Sequence, residues 1–225
     1  MKIIFVRHGH PDYKNDCLTE LGRAHAEAVG NRLKDQHIDR IFSSTCGRAY
    51  ETACHIASHH GLEVQGLKFM REISWGKPNT DDYMHPWNMA ARWVKDGKDV
   101  MKADWRDDED IKGHTLLTSY ETVSKSFDEW LTQFGLVREG CYYRVTEENT
   151  ETIVLTSHGG SSSVVLSHIF NLPFPFVCHA ICPDFTAVTV VNFKGEKDSL
   201  TSPTFELLND NRHIKDISAE IYYGN

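Results

Sequence analysis

The sequence predicts an α/β fold of three layers, a mostly parallel central sheet with helices on both faces. Three observations carry that expectation. Four short segments are dense in Ile, Val, Leu and Phe, helical patterns separate the first three of them, and a polar cluster follows each of those three strands directly. At 225 residues the chain is long enough to bury a substantial core and is expected to form one domain, 1–225, carrying an insertion.

In order, the first strand is predicted at Lys2 to Val6, where Ile3-Ile4-Phe5-Val6 is apolar at every position, as in a strand covered on both faces. A helix follows over Thr19 to Lys34. Leu21, Ala24, Ala28 and Leu33 supply its apolar spacing, and Thr19 is placed to cap its start. The second strand is Arg40 to Phe42. Ser44 or Thr45 is placed to cap a second helix that runs to about His60 and stops at Gly61. Strands are predicted again at Thr152 to Thr156 and Ala187 to Phe193, with a long helix, Leu116 to Phe134, ahead of them. Residues 76–113 break the rhythm: the segment has little β pattern, three tryptophans and many acids, and reads as a helical lid insertion. The competing reading is a solvated acidic helical face.

Charged residues make up 25% of the chain and the formal net charge is -8. That balance argues against a general nucleic-acid binder, which needs a basic surface, but leaves room for a small basic pocket. Residues 3–6 are too short for the apolar core of a signal peptide, and no stretch approaches the roughly 20 apolar residues of a membrane span. A cytoplasmic protein without a membrane partner is the expectation. The six cysteines are too sparse for a disulfide framework in a chain this long.

The chemistry collects in the three clusters, "VRHGH", "FSSTCGRAYETA" and "LTSHGG". In an open parallel sheet the ligand crevice lies outside the carboxyl ends of the strands, so clusters remote in sequence converge. They supply Arg7, His8, Arg48 and His158, with Gly9, Gly159 and Gly160 permitting close backbone approach. Two guanidinium forks suit phosphate oxygens, and a neutral imidazole is a competent nucleophile or base; the set points to phosphoryl chemistry.

Two other motifs compete. Cys17 and Arg23 satisfy the C-x5-R spacing of cysteine-dependent phosphatases, but Asn15-Asp16 before the cysteine and the core-like Leu18 and Leu21 argue for a chance match. His55 and His59, one helical turn apart, and "CHAIC" at 178–182 suggest metal binding but name no further ligands, so no metal is expected.

Five ordered stretches, "VRHG", "LTELG" (18–22), "SSTCGRAYETA" (43–53), "REISWG" (71–76) and "TSHGG" (156–160), together resemble the histidine phosphatase superfamily, in its phosphoglycerate mutase-like branch. The resemblance implies a metal-independent phosphatase acting on phosphate monoesters through a covalent phosphohistidine. His8 would be the nucleophile, Arg7, Arg48 and His158 the phosphoryl ligands, and Glu72 the proton donor. Gly9, His10, Asn15 and Gly159 would contribute to substrate binding. It also implies no cofactor and a small phosphorylated substrate as the partner, and it leaves the oligomeric state open. A mutase-type transfer is the alternative. The short connection "HPDYKNDCLTELG" lacks the longer Trp- and Gly-containing segment of the glycolytic mutases and favours hydrolysis. His10 stands where many relatives carry Glu or Gln and touches either substrate or only the loop. A non-catalytic phospholigand-binding protein is the third reading, and the presence of all five catalytic-type residues weighs against it.

Overall fold

The computed structural model describes residues 1–78 and 85–217. The chain starts with strand β1 (Lys2–Arg7), a small hairpin β2 (Pro11–Asp12) and β3 (Cys17–Leu18), helix α1 (Glu20–Leu33), β4 (Arg40–Ser44), α2 (Gly47–Ser58) and β5 (Val64–Leu67). Helices α3 (Pro86–Lys95) and α4 (Thr115–Leu131) come next, then β6 (Leu136–Glu139), β7 (Tyr142–Val145), β8 (Thr152–Ser157), α5 (Gly159–Phe170), α6 (Phe174–Ala180), β9 (Val188–Asn192), β10 (Leu200–Thr201) and β11 (Thr204–Asp210).

Six strands form the central sheet in the order β11-β9-β1-β8-β4-β5. The four from β1 to β5 run parallel, while β9 and β11 are antiparallel, so the sheet is mixed and mostly parallel. Alternation sorts the apolar runs onto two faces. Ile3, Phe5, Phe42, Ile153 and Leu155 join a core with Val123, Phe127 and Val164 of α4 and α5, whereas Ile4, Val6, Ile41 and Val154 pack with Val29 of α1 and Ile56 of α2. The four predicted strands are present. Sequence reading passed over β5, a four-residue strand containing Gly66; the exposed edge strand β11; and a separate three-stranded sheet of β10, β7 and β6.

Thr19 caps α1 as expected, its hydroxyl accepting from Gly22 N at 3.0 Å. The buried face is not the expected one: Leu21 is 37% exposed and Ala24 is exposed, while Gly22, His25, Ala26, Val29, Gly30 and Leu33 point inward. The reason is close packing. A side chain on Gly22 would strike the His10 carbonyl, and one on Gly30 would press on His55 and His59, so two positions of the face are glycines, which a count of large apolar residues does not register. At α2 the N-cap is Cys46, and the Ser44 hydroxyl instead accepts from Cys46 N at 3.2 Å.

Within the insert, Trp93 and Trp105 are buried in the same core as β1 and α4. Its charges pair with one another near the surface: Arg92 with Asp110 at 2.7 Å, and Lys98 with Asp108 at 2.9 Å and Asp110 at 2.8 Å. Among the described residues no helix is long and apolar enough to cross a membrane.

Candidate active site

Parallel pairing of β1, β8, β4 and β5 brings their carboxyl ends to one edge of the sheet, and the polar clusters meet there. Arg7 closes β1, and His8 N extends the ladder by donating to Ser157 O at 2.9 Å. The next residue, Gly9, lies against the Gly22 carbonyl with no room for a Cβ.

His8 is 1% exposed. Its Nδ1 lies 2.7 Å from the Gly9 carbonyl, which can only accept, so Nδ1 carries the proton and Nε2 presents a lone pair. Burial first, then the charges of Arg7, His158 and Arg48, holds its pKa well below the ordinary 6.5 despite the opposing Gly9 bond. The ring is therefore neutral at physiological pH, with Nε2 free of a proton.

Arg48, in the first turn of α2, donates from Nε to His8 Nε2 at 3.3 Å and from Nη1 to Asp16 Oδ1 at 2.5 Å. His158 follows β8 at the start of α5; its ring centroid is 5.1 Å from that of His8 and its Nε2 is 2.8 Å from the Ser44 hydroxyl. Burial and the nearby Arg48, Arg7 and Arg71 bring the His158 pKa down to about 2. Arg7 donates from Nη1 to Pro183 O at 2.8 Å, and its guanidinium lies 4.3 Å over the Phe185 ring. Phe185 also leans on His8 and His10, at centroid distances of 5.8 and 5.6 Å. Two nitrogens of this group, Arg7 Nε and His158 Nδ1, are buried and have no protein hydrogen-bond partner.

Glu72 reaches the site after β5. Its Oε1 accepts from Ile73 N at 3.0 Å and Ser161 N at 3.1 Å, and its Oε2 from Gly160 N at 3.4 Å, so the carboxyl sits at the start of α5. Gly160 has to be glycine, since a Cβ there would meet Glu72 Oε1 and Ile73. Desolvation raises the Glu72 pKa above 4.5, outweighing the three backbone donors and Arg7, which act to lower it.

Gly159 lies beside Arg7: its Cβ position would be 3.6 Å from the guanidinium carbon. His10 and Asn15, the other two residues expected at the substrate, have these protein contacts. His10 Nδ1 is 3.0 Å from the Thr19 hydroxyl, with one ring edge on Phe185. Asn15 is exposed and gives its amide to Asp12 at 2.7 Å, and its neighbour Asp16 is the residue that reaches Arg48. Asp16, Phe185 and Ser44 were not picked out as site residues by sequence reasoning; the acid directly after Asn15 was the one available signal.

Of the competing motifs, Arg23 donates to Leu18 O at 2.9 Å and pairs with Glu51 at 3.3 Å. His55 lies 3.2 Å from a Glu27 carboxylate oxygen and His59 3.8 Å from the other. Among the described residues no group of three or more His, Cys, Asp or Glu side chains is placed to hold a metal ion.

A mostly parallel α/β sheet thus gathers two arginines, two neutral histidines and a desolvated carboxyl at its strand ends. The family model of the histidine phosphatase superfamily (branch 1) matches residues 3–206, and the chain belongs to that superfamily. It is 28% identical over 170 residues to phosphoglycerate mutase-like protein 4 of Arabidopsis thaliana, covering 71% of this chain and 66% of that one. Among solved structures it is similar to a variant of the phosphoserine phosphatase of Entamoeba histolytica in complex with phosphoserine, with TM-score 0.64, 21% identity, and 95% and 98% of the two chains covered. A mycobacterial glucosyl-3-phosphoglycerate phosphatase aligns with TM-score 0.61 and 20% identity over 92% of this chain and 98% of its own. At these identities the solved structures bear on the fold alone.

Proposed function

We propose that the protein is a metal-independent phosphatase that hydrolyses small phosphate monoesters through a covalent phosphohistidine on His8. The observation that carries this reading is the Nε2 lone pair of His8, fixed by the Nδ1 bond to Gly9 O and flanked by two buried donors without protein partners, Arg7 Nε and His158 Nδ1. Buried donors of this kind are rare and call for an acceptor. Ser44 Oγ already accepts from Cys46 N, so its own proton is available to His158 Nε2, which leaves the ring proton on Nδ1 for a phosphoryl oxygen.

In the first step the His8 Nε2 pair forms the N–P bond as the ester P–O bond breaks, and the Glu72 carboxyl gives its proton to the departing oxygen. In the second, the Glu72 carboxylate takes a proton from water as that water attacks phosphorus. The N–P bond then breaks, phosphate leaves, and both groups return to their starting state. Arg7 and Arg48 supply the positive charge that metal ions supply in other phosphoryl-transfer sites. Membership of the histidine phosphatase superfamily supports the phosphatase reading. We read residues 1–225 as one such domain, with 76–113 as its lid, on the ground that Trp93 and Trp105 share the core of the sheet.

The test is a set of phosphomonoesters incubated in excess chelator, with phosphate release and trapping of an acid-labile phosphoenzyme as readouts. Turnover inhibited by vanadate and a phosphoenzyme that fails to form in His8→Ala are expected. A chelated enzyme revived only by zinc or magnesium would overturn the metal-independent mechanism. Isomerisation of 3-phosphoglycerate with its bisphosphate primer, without phosphate release, would replace the phosphatase with a mutase on the same site.

A further inference from the structure

One carboxylate holds the Arg48 side chain and the backbone of the residue before it. Asp16 Oδ2 accepts from Gly47 N at 2.9 Å, where the α2 backbone begins, and Asp16 Oδ1 receives Arg48 Nη1 at 2.5 Å, where the side chain finishes. The helix has no cap of its own, because the N-cap Cys46 makes no side-chain capping bond; Asp16 takes that place from a different part of the chain. With Nη1 engaged by Asp16 and Nε directed at His8 Nε2, the guanidinium edge formed by Nε and Nη2 faces the nucleophile.

The hairpin between β2 and β3 is built to deliver this carboxylate. Asp12 Oδ1 accepts from Lys14 N at 3.0 Å and Asn15 N at 3.2 Å, and the Asn15 amide donates to Asp12 Oδ2 at 2.7 Å, closing a tight turn. Asp16 then adopts a left-handed conformation at φ 48°, tolerated by Asp better than by most residues, and Gly47 has no Cβ to strike the Asp16 carbonyl. Glu51 of α2 accepts from Leu18 N at 2.8 Å and anchors the other end of the hairpin, while the Tyr13 ring lies 5.3 Å from the guanidinium carbon of Arg48.

We infer that residues 11–18 form a clamp for Arg48 and that Asp16 is its positioning residue, aiming the Nε–Nη2 edge at the phosphoryl group during transfer. This rests on the phosphoryl-transfer reading of Arg48. A carboxylate beside an anion site weakens ground-state binding of a dianion by repulsion, so what it contributes is orientation, which acts on turnover.

Steady-state kinetics of p-nitrophenyl phosphate hydrolysis, combined with a double-mutant cycle, tests this. Asp16→Ala is expected to lower kcat about 10- to 100-fold, as a misaimed catalytic group does, with KM and phosphate inhibition changing less than about 3-fold. Asp16→Asn keeps one acceptor oxygen for the two donors that Asp16 holds, and is expected to recover part of the loss. Arg48→Ala should be as slow as Asp16→Ala/Arg48→Ala, because the acid acts only through the arginine. Wild-type kcat in Asp16→Ala, or losses that multiply in the double variant, would overturn the clamp and leave Asp16 as a helix cap, visible only in thermal stability. Should Asp16→Ala not fold, Asp16→Gly, which suits the left-handed φ of 48° and has no acceptor, carries the same cycle. Full activity in Arg48→Ala would overturn the reading of the site itself, whatever the Asp16 variants do.

Discussion

The strand-end site and the insert after it are both rich in polar groups, and they dispose of them in opposite ways. In the insert, Arg92 and Lys98 are paired with Asp108 and Asp110, and the buried Trp93 donates its indole N–H to Asp110 at 2.7 Å. At the strand ends the protein leaves Arg7 Nε and His158 Nδ1 buried without a partner and keeps two histidines neutral next to two arginines. Density of charge is therefore a poor guide to reactivity. Unpaired buried atoms alone are no better a guide, since His85 Nδ1 in the insert and Trp130 Nε1 are also without a partner; what sets the strand ends apart is that two such nitrogens meet beside neutral, desolvated histidines.

If the comparison holds, damage to the first region removes turnover and damage to the second removes stability. The largest effect is expected from His8→Ala, with phosphate release falling by on the order of 10⁴ or more and the urea midpoint unchanged or raised. Cys17→Ser should retain nearly full activity, and the opposite pattern would reverse the assignment of the nucleophile.

Glu72→Gln separates the two half-reactions. An alkyl phosphate needs its leaving oxygen protonated, and its hydrolysis should slow by about 10²–10⁴. p-Nitrophenolate leaves almost unaided, so rapid mixing should show a burst of one nitrophenolate per site followed by accumulation of phosphoenzyme, since the group that activates water is gone as well. Equal slowing of both substrates without a burst would make Glu72 a structural cap of α5. Asp81 and Asp82, the other carboxylates considered for this role, lie outside the described residues.

In the insert, Trp93→Ala should cost about 3–5 kcal/mol of unfolding free energy, since the ring is 1% exposed and leaves a large cavity. A stable, fully active variant would show that this tryptophan is not part of a shared core.

Acid sensitivity sharpens the contrast further. Burial holds the pKa values of His25 and His213 at about 4, against 6.5 in the unfolded chain. Between those values the unfolded state binds more protons than the folded one, so stability is full above about pH 6.5 and declines as pH falls toward 4. Urea midpoints at several pH values test this, and a flat profile would contradict it. The smallest effect belongs to Lys98→Ala, which breaks half-exposed ion pairs and should cost about 1 kcal/mol or less in the same assay.

The legible part of the molecule is the part whose position follows from the backbone. Arg7, His8, Arg48 and His158 lie within four residues of a parallel strand's end, and an apolar run followed by polar residues locates that end from sequence. Residues that arrive from elsewhere are not marked in this way. Phe185 precedes an antiparallel strand and Asp16 ends a tight turn, so the sequence in each case shows a residue type without a destination. The buried face of α1 was misjudged for a related reason: close helix packing selects Gly22 and Gly30, which no count of large apolar side chains registers.

The position of β1 has a consequence for biosynthesis. It is made before both of its neighbours, since it lies between β8 and β9, with Ile3 beside Ile153 and Ile4 beside Val190. Pairings this remote close slowly, and each needs the ribosome to have passed most of the chain. Arg7 and His8 leave the ribosome long before Ser157, His158 and Phe185, the neighbours they meet in the fold. Until residue 192 emerges, the apolar Ile3–Val6 run lacks at least one of its two partner strands, and chaperone protection during synthesis matters most for these four residues.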